Sequence, residues 1–151
     1  MPAAAAKPAA PTPTGPVLEV DRVTVRFGAQ EVLRDITLSI GSGETLVILG
    51  ESGCGKTVLL KTLIGLVRPT GGEIRFEGKA IAKLGDRQLA HLRTRYGFVF
   101  QGAALFDSLT IADNIAFPLR EHTKIPAAEA HDIVVSLLDE VGLPRSVLRK
   151  K

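Results

Sequence analysis

The sequence has few of the features that mark several large classes of protein. Its 151 residues include one cysteine, which excludes an internal disulfide and a cysteine-based zinc module and favours a reducing cytoplasm. The 19 basic and 16 acidic residues are scattered and leave a net charge of only +3, which argues against a nucleic-acid partner. The uncharged stretch between Arg95 and Asp107 is well short of the roughly 20 apolar residues that cross a bilayer, so no membrane-spanning segment is expected.

Residues 1–16 differ in composition from everything that follows. They contain six alanines and five prolines and offer no periodic apolar face, which predicts a disordered tail. Lys7 and the prolines interrupt the alanine run, so a secretory signal is not expected, and Pro2 does not fit the myristoylation motif. Residues 17–151 are of a length that suits one folded domain.

The apolar pattern after this tail predicts an α/β fold. β-Branched residues in 17–25 and 36–40 predict two strands that could pair antiparallel, and the continuous apolar run 46–49 predicts a strand buried on both faces. Leucine, isoleucine and valine then recur at helical spacing, which predicts a helix from near Gly55 to before Pro69. The run 46–49 and this helix would form a strand–loop–helix unit.

The later part of the chain predicts further short elements. These are a strand at 73–77, a helix at 86–95, a strand at 96–100 and then a loop. A last amphipathic helix is expected after Pro126. Its apolar face would consist of Ile133, Val134, Leu137, Leu138 and Val141.

The loop of the strand–loop–helix unit carries the chemistry. It matches the phosphate-binding pattern G-x-x-x-x-G-K-[ST] and reads Gly50-Glu51-Ser52-Gly53-Cys54-Gly55-Lys56-Thr57. Glycines let backbone N–H groups approach a phosphate closely, and the helix N-terminus adds a partial positive charge. Lys56 is predicted to bind the β and γ phosphates and the Thr57 hydroxyl to bind Mg²⁺. The alternative is a glycine-rich turn that only links strand to helix. Cys54 lies at the predicted helix N-terminus and is either a small filler of the loop or a redox-sensitive thiol.

Three features together resemble an ATP-binding-cassette (ABC) ATPase. Phe27 follows the first strand, the P-loop comes about two dozen residues later, and Gln101 ends the segment Phe98-Val99-Phe100-Gln101. The resemblance implies an α/β P-loop NTPase core with an antiparallel β subdomain and the start of a helical subdomain. It also implies that Phe27 stacks on adenine, which gives a nucleotide-binding set of Phe27, Gly50, Ser52, Gly53, Cys54, Gly55, Lys56 and Thr57.

The same resemblance gives Gln101 a role in catalysis. In this family the glutamine at that position reaches Mg²⁺ and the attacking water, so Lys56 and Gln101 are the candidate catalytic residues, and Thr57 and Gln101 the candidate magnesium ligands. The alternatives are that Phe27 is a core aromatic at a strand end and that Gln101 is an ordinary polar strand terminus.

A longer stretch indicates a subfamily. Residues 101–110, 113–114 and 117–122 are similar to the ATPase subunit of Mla-type phospholipid transporters, which work with mammalian-cell-entry substrate-binding proteins, and the resemblance covers 17 to about 144. It implies ATP and Mg²⁺ as cofactors, with a transmembrane permease and a second nucleotide-binding subunit as partners. The chain would then be peripheral to the membrane, at the cytoplasmic face of an inner membrane. A P-loop kinase or GTPase fits less well because no N-K-x-D motif is present.

The 151 residues lack the later motifs of this family: the L-S-G-G-Q-like signature, an apolar strand ending in Asp-Glu, and a switch histidine. Asp139-Glu140 imitates the second, but its apolar neighbours keep helical spacing and Gly142 suits a helix C-cap. The chain is therefore expected to be the N-terminal part of an ABC-type domain, without its C-terminal half, and to expose apolar surface where later strands would pack. We expect weak nucleotide binding without useful turnover. The alternative function is a non-catalytic nucleotide-binding fragment, or one that docks on a permease through residues 101–122.

Overall fold

The computed structural model describes residues 15–102 and 104–151. The chain divides into two compact units, the first ending at Tyr96 and the second spanning Gly97–Lys151. Apart from its last two residues, the predicted disordered tail lies outside the described residues. Within the described ranges, no helix is both long enough and apolar enough to cross a membrane.

The first unit is built on a four-stranded antiparallel sheet. Its strands are β1 (Leu18–Phe27), β2 (Gln30–Ile40), β3 (Gly71–Phe76) and β4 (Lys79–Ala80), in the spatial order β2-β1-β3-β4. The antiparallel pairing predicted for the first two strands is confirmed, since Leu18 lies opposite Ile40 in a hairpin. The predicted strand at 73–77 corresponds to β3.

The core of this unit lies on one face of the sheet. Val20, Val23 and Val25 of β1 are at most 2% exposed, and Ile74 of β3 is 2% exposed. β-Branched side chains pack well on a pleated surface, and burying each one removes apolar area from water. The central strand β1 therefore anchors the sheet.

Two helices complete the first unit, α1 (Lys56–Leu63) and α2 (Asp86–Arg93), with a 3₁₀ turn at Ile81–Lys83 before α2. The Arg93 guanidinium donates hydrogen bonds to the carbonyl oxygens of Ile64 (3.1 Å) and Gly65 (2.7 Å). These carbonyls follow the last turn of α1, where a cation is favourable. Arg93 thus ties the end of α2 to the end of α1.

A bulge in β1 brings the backbone unusually close to Gly72. The pairing of β1 with β3 shifts register between Asp21 and Thr24, and Arg22 has a φ of 46°. Gly72 itself has a φ of 76°, and a Cβ there would overlap the carbonyl oxygens of Asp21 and Arg22. Only glycine fits this position without displacing the central strand.

We expect Gly72→Ala to lower the free energy of unfolding by at least about 2 kcal/mol. Alanine would be strained at the left-handed φ, and its Cβ would also overlap the backbone of Asp21 and Arg22. Urea denaturation monitored by circular dichroism measures this loss. The matched control is Gly78→Ala: Gly78 has a φ of 74°, but nothing lies within 4 Å of its added Cβ. Equal losses in the two variants would contradict the close approach at Gly72.

The second unit contains α3 (Ile111–His122), α4 (Ala127–Glu140) and a 3₁₀ turn at Arg145–Val147. The predicted helix after Pro126 is α4, and Asp139-Glu140 is helical as expected. Gly142 ends the helix with a φ of 70°, and its N–H donates to the Asp139 carbonyl oxygen at 3.1 Å.

The buried face of α4 is narrower than predicted. Val134 and Leu138 are each 1% exposed, but Leu137 is 41% and Val141 is 68% exposed. Positions 134, 137, 138 and 141 lie on one side of a helix, so the exposure of Leu137 and Val141 means that only part of this side is buried within the second unit.

Two of the predicted strands are wrong. Residues 46–49 and 96–100 belong to no strand, and Val47, Leu49 and Val99 are 70%, 89% and 93% exposed. An apolar run indicates that a segment is suited to burial. It forms a strand only when neighbouring strands supply hydrogen-bond partners for its backbone. In the described part of the chain, the sheet ladders do not reach these two segments.

The predicted loop after residue 100 is also partly wrong, because it contains the twelve-residue helix α3. Pro118 lies inside this helix and lacks the N–H that would bond one turn back. A proline in the middle of a segment argues against a helix in a sequence, and here the packing of α3 on α4 overrides it.

Candidate nucleotide-binding site

Helix α1 is preceded by two glycines that adopt left-handed backbone conformations. Gly53 has a φ of 80° and Gly55, the residue preceding the helix, has a φ of 99°. Left-handed values of this kind are accessible to glycine at little cost and strain other residues. The predicted P-loop therefore makes its turns at two of its glycines and leads straight into a helix N-terminus, which is the arrangement that anion-binding loops use.

The loop is fixed against β2 at Gly55. A Cβ at this buried position would lie 3.0 Å from Leu33 Cδ2 and 3.0 Å from the Val32 carbonyl oxygen. At the start of the loop, a Cβ on Gly50 would lie 2.7 Å from Cys54 Sγ. The left-handed φ and the Val32 carbonyl oxygen favour glycine at position 55, whereas the Cys54 thiol could rotate away from a Cβ at position 50.

Lys56 folds back over the loop that precedes it. Its ammonium donates to the carbonyl oxygens of Gly50 (2.8 Å) and Glu51 (2.6 Å) and lies 3.5 Å from Cys54 Sγ. A lysine ammonium is a compact charge on a flexible stem, so phosphate oxygens can replace carbonyl oxygens as its partners. The positive charge is thus held over the loop, where the terminal phosphates of a nucleotide would lie.

The start of α1 supplies further donors. The first N–H groups of a helix have no partner within it, and the bond from the Leu59 N–H to the Gly55 carbonyl oxygen (2.9 Å) belongs to the first turn. No acidic residue lies in that turn, so no carboxylate competes with an anion there. The exposed Thr57 side chain leaves its hydroxyl accessible to a magnesium ion. This set of groups fits magnesium-bound ATP.

The other predicted residues are placed as follows. Phe27 ends β1 and is 52% exposed, so it is not a core aromatic. Ser52 and the free thiol of Cys54 are also exposed. Gln101 is exposed and lies in the second unit, whereas the P-loop lies in the first. The roles of Phe27 and Gln101 toward a nucleotide remain predictions.

A second feature lies within residues 101–122, the region predicted to dock on a permease in the alternative function. It is an exposed aromatic patch formed by Leu105, Phe106 and Phe117. The rings of Phe106 and Phe117 lie 4.8 Å apart. Asn114 holds Phe106 in place, since its Oδ1 accepts from the Phe106 N–H at 2.8 Å and its Nδ2 donates to the Phe106 carbonyl oxygen at 3.1 Å. The patch is therefore fixed and still open to solvent.

A local signal for α3 was present in the sequence. Thr110 is the N-cap: its hydroxyl accepts from the Asp113 N–H at 3.1 Å and donates to the Asp113 carboxylate at 2.6 Å. This hydroxyl, and secondarily the Arg120 guanidinium, holds the pKa of Asp113 below its ordinary value. A threonine three residues before an acidic residue is a recognised helix-start pattern, and it could have predicted α3 despite Pro118.

Comparison with known proteins identifies the family. The ABC transporter family profile matches residues 33–150. The probable ribonucleotide transport ATP-binding protein mkl of Mycobacterium leprae is 47% identical over 87% of this chain and 38% of its own length. The intermembrane phospholipid transport system ATP-binding protein MlaF of Haemophilus influenzae is 40% identical over 84% of this chain and 48% of its own length. The chain thus spans less than half the length of these two relatives.

Solved structures agree with the sequence comparison. The dimeric bacterial ABC transporter cassette MJ0796 matches with a TM-score of 0.80 and 28% identity, over 89% of this chain and 61% of that one. The cbiO1 subunit of the cbiONQ transporter from Clostridium perfringens matches with a TM-score of 0.74 and 27% identity, over 89% and 53%. These neighbours confirm the predicted P-loop ATPase fold class. The chain belongs to the ABC transporter family.

Proposed function

We propose that this chain is the nucleotide-binding part of an ABC transporter ATPase subunit and that it binds ATP with Mg²⁺. The observation that supports this most strongly is the loop before α1. Its Gly53 and Gly55 adopt left-handed φ values, and the Lys56 ammonium lies over it. An MJ0796 cassette solved in a post-hydrolysis state holds ADP and phosphate, which fits the same function.

In this proposal each group has a distinct role. Backbone N–H groups of the loop and of the first helical turn donate to the phosphates, and Lys56 places a full positive charge beside the terminal ones. Phe27 stacks on the adenine, and its 52% exposure leaves a ring face available. By the family resemblance, Thr57 and Gln101 would hold Mg²⁺, which would supply positive charge to neutralise the phosphates.

We further propose that the transporter moves lipid. The stretch 101–122 resembles Mla-type ATPases, and the similarity to MlaF, whose name refers to intermembrane phospholipid transport, supports this cargo. Ribonucleotide is the second candidate, because the more identical relative mkl carries that name. An ATPase subunit binds nucleotide and not cargo, so its own site does not distinguish the two candidates. They are distinguished by measuring which cargo stimulates ATP hydrolysis by the assembled transporter.

The proposed partners are a transmembrane permease and a second nucleotide-binding subunit, at the cytoplasmic face of an inner membrane. The aromatic patch supports the first partner. Fixed apolar side chains left in solvent are typical of protein-binding surfaces, and aromatic residues are enriched in their centres. We propose that this patch docks on the permease.

We expect Leu105→Asp to reduce capture of the permease from detergent extract at least tenfold, because a carboxylate would be buried unpaired in an apolar contact. Leu105 is 62% exposed, so the fold should tolerate the change. The matched control is Leu143→Asp, at an exposed leucine (46%) of the same unit. Unchanged capture with Leu105→Asp, or an equal loss in the control, would refute docking through the patch.

Phosphate release tests the non-catalytic alternative directly. The 151 residues contain no signature motif and no Asp-Glu strand end, so we propose that this polypeptide alone binds ATP without useful turnover. Purified chain should bind magnesium-ATP while releasing phosphate at the background rate. Steady-state release that Lys56→Ala abolishes would overturn this part of the proposal and show that the chain is an enzyme by itself.

A further inference from the structure

A second concave surface lies in the first unit and shares no residue with the P-loop. It is a cleft of about 470 Å³ between α2 and the β4 edge of the sheet. This volume falls within the range of about 300–1,000 Å³ that is common for small-molecule sites. Positions 87, 88, 91 and 92 lie on one face of α2, which forms one side of the cleft, and Arg95 follows shortly after the end of this helix.

The cleft combines an apolar floor with a cationic rim. Its floor includes Phe76 and Leu92, which are 8% and 7% exposed. Its rim carries the exposed side chains of Lys79, Arg87 and Arg95. The lining therefore places three cationic side chains beside an apolar surface.

The charge of the rim is only partly balanced. Glu77 is the one carboxylate of the lining, and Arg95 binds it with two parallel hydrogen bonds of 2.5 Å, which hold the pKa of Glu77 below its ordinary value. Arg95 also lies 5.0 Å from the centre of the Phe76 ring. In the part of the chain that the structure describes, neither Lys79 nor Arg87 forms an ion pair. The lining of the cleft therefore carries two more cationic than anionic side chains.

We propose that this cleft binds a phosphate monoester that carries an apolar group. The phosphate lies between Lys79 and Arg87, since a guanidinium fork and an ammonium both bind phosphate oxygens well. The apolar group rests on the floor formed by Phe76 and Leu92, where its burial adds to the affinity. Such a ligand is either a soluble phosphate ester or the headgroup of a phosphatidic-acid-like lipid. This site is separate from the proposed nucleotide site, so each can be tested without the other.

The test uses the full chain and two probes, phenyl phosphate in calorimetry and vesicles in co-sedimentation. The vesicles contain phosphatidylcholine with or without phosphatidic acid. The cleft variant is Lys79→Gln with Arg87→Gln, and the matched control is Lys124→Gln with Lys151→Gln, which removes the same charge from exposed positions elsewhere. A third variant, Lys56→Ala, disables the P-loop and leaves the cleft intact.

We expect one phenyl phosphate to bind per chain, with an affinity that falls at least tenfold in the cleft variant and stays unchanged in the control and in Lys56→Ala. Binding only to vesicles with phosphatidic acid, lost in the cleft variant alone, would support the lipid source of the same ligand. Three results would overturn the proposal: no binding of either probe, equal losses in the cleft variant and the control, or a loss caused by Lys56→Ala.

Discussion

Replacing Lys56 with alanine is expected to weaken magnesium-ATP binding by about 100-fold. The ammonium would exchange two carbonyl contacts, to Gly50 and Glu51, for contacts to phosphate oxygens. Hydrogen bonds to charged groups contribute about 1.5–3 kcal/mol each, and about 1.4 kcal/mol corresponds to a tenfold change in affinity. Isothermal titration calorimetry measures the dissociation constants of both chains.

The matched control for this prediction is Lys61→Ala. Lys61 is the other lysine of α1, so the control removes the same charge from the same helix. The α1 N-terminus and its loop remain intact in the control, and affinity should change less than threefold. If both variants weakened binding equally, general charge rather than the position of Lys56 would account for the affinity.

The second large effect is expected from Gly55→Val. Valine at a φ of 99° is strained, and its side chain would press on Leu33 and on the Val32 carbonyl oxygen. We expect the free energy of unfolding to fall by about 3 kcal/mol and magnesium-ATP binding to be lost, because the loop must leave β2. Urea denaturation and calorimetry measure the two effects on the same preparation.

A suitable control separates strain from packing. Gly43 has a φ of 76°, and nothing lies within 4 Å of an added Cβ there. Gly43→Val should therefore cost only the local strain, about 1–2 kcal/mol, and leave ATP binding unchanged. A Gly55→Val chain that bound ATP as tightly as the wild type would show that the observed loop shape is not required.

Local signals explain what the sequence predicted. The hairpin of β1 and β2, helix α1 and the P-loop between them follow from alternation, helical spacing and the positions of glycines, which act over a few residues. Lys56 was identified by its place in the motif, but its contacts with Gly50 and Glu51 were not, because they depend on the path of the loop. The cleft was missed for a similar reason, since Phe76 and Arg87 meet only after the chain folds.

Nonlocal effects explain the errors. The runs at 46–49 and 96–100 have the composition of buried strands, but composition does not specify a hydrogen-bonded neighbour, and both lie outside the sheet. Helix α3 was not predicted, and in the structure the Thr110 cap and the contact with α4 outweigh the hydrogen bond that Pro118 cannot form. Three apolar residues of the run 46–49 are exposed in the structure: Leu46, Val47 and Leu49.

A titration of the chain with AMP, ADP and ATP in the presence of Mg²⁺ tests the central claim most directly. If the loop and Lys56 hold the terminal phosphates, ATP and ADP should each bind at least about tenfold more tightly than AMP, since each charge-assisted hydrogen bond is worth more than 1.4 kcal/mol. Equal affinity for the three nucleotides, or no uptake of ATP by folded chain, would contradict the account.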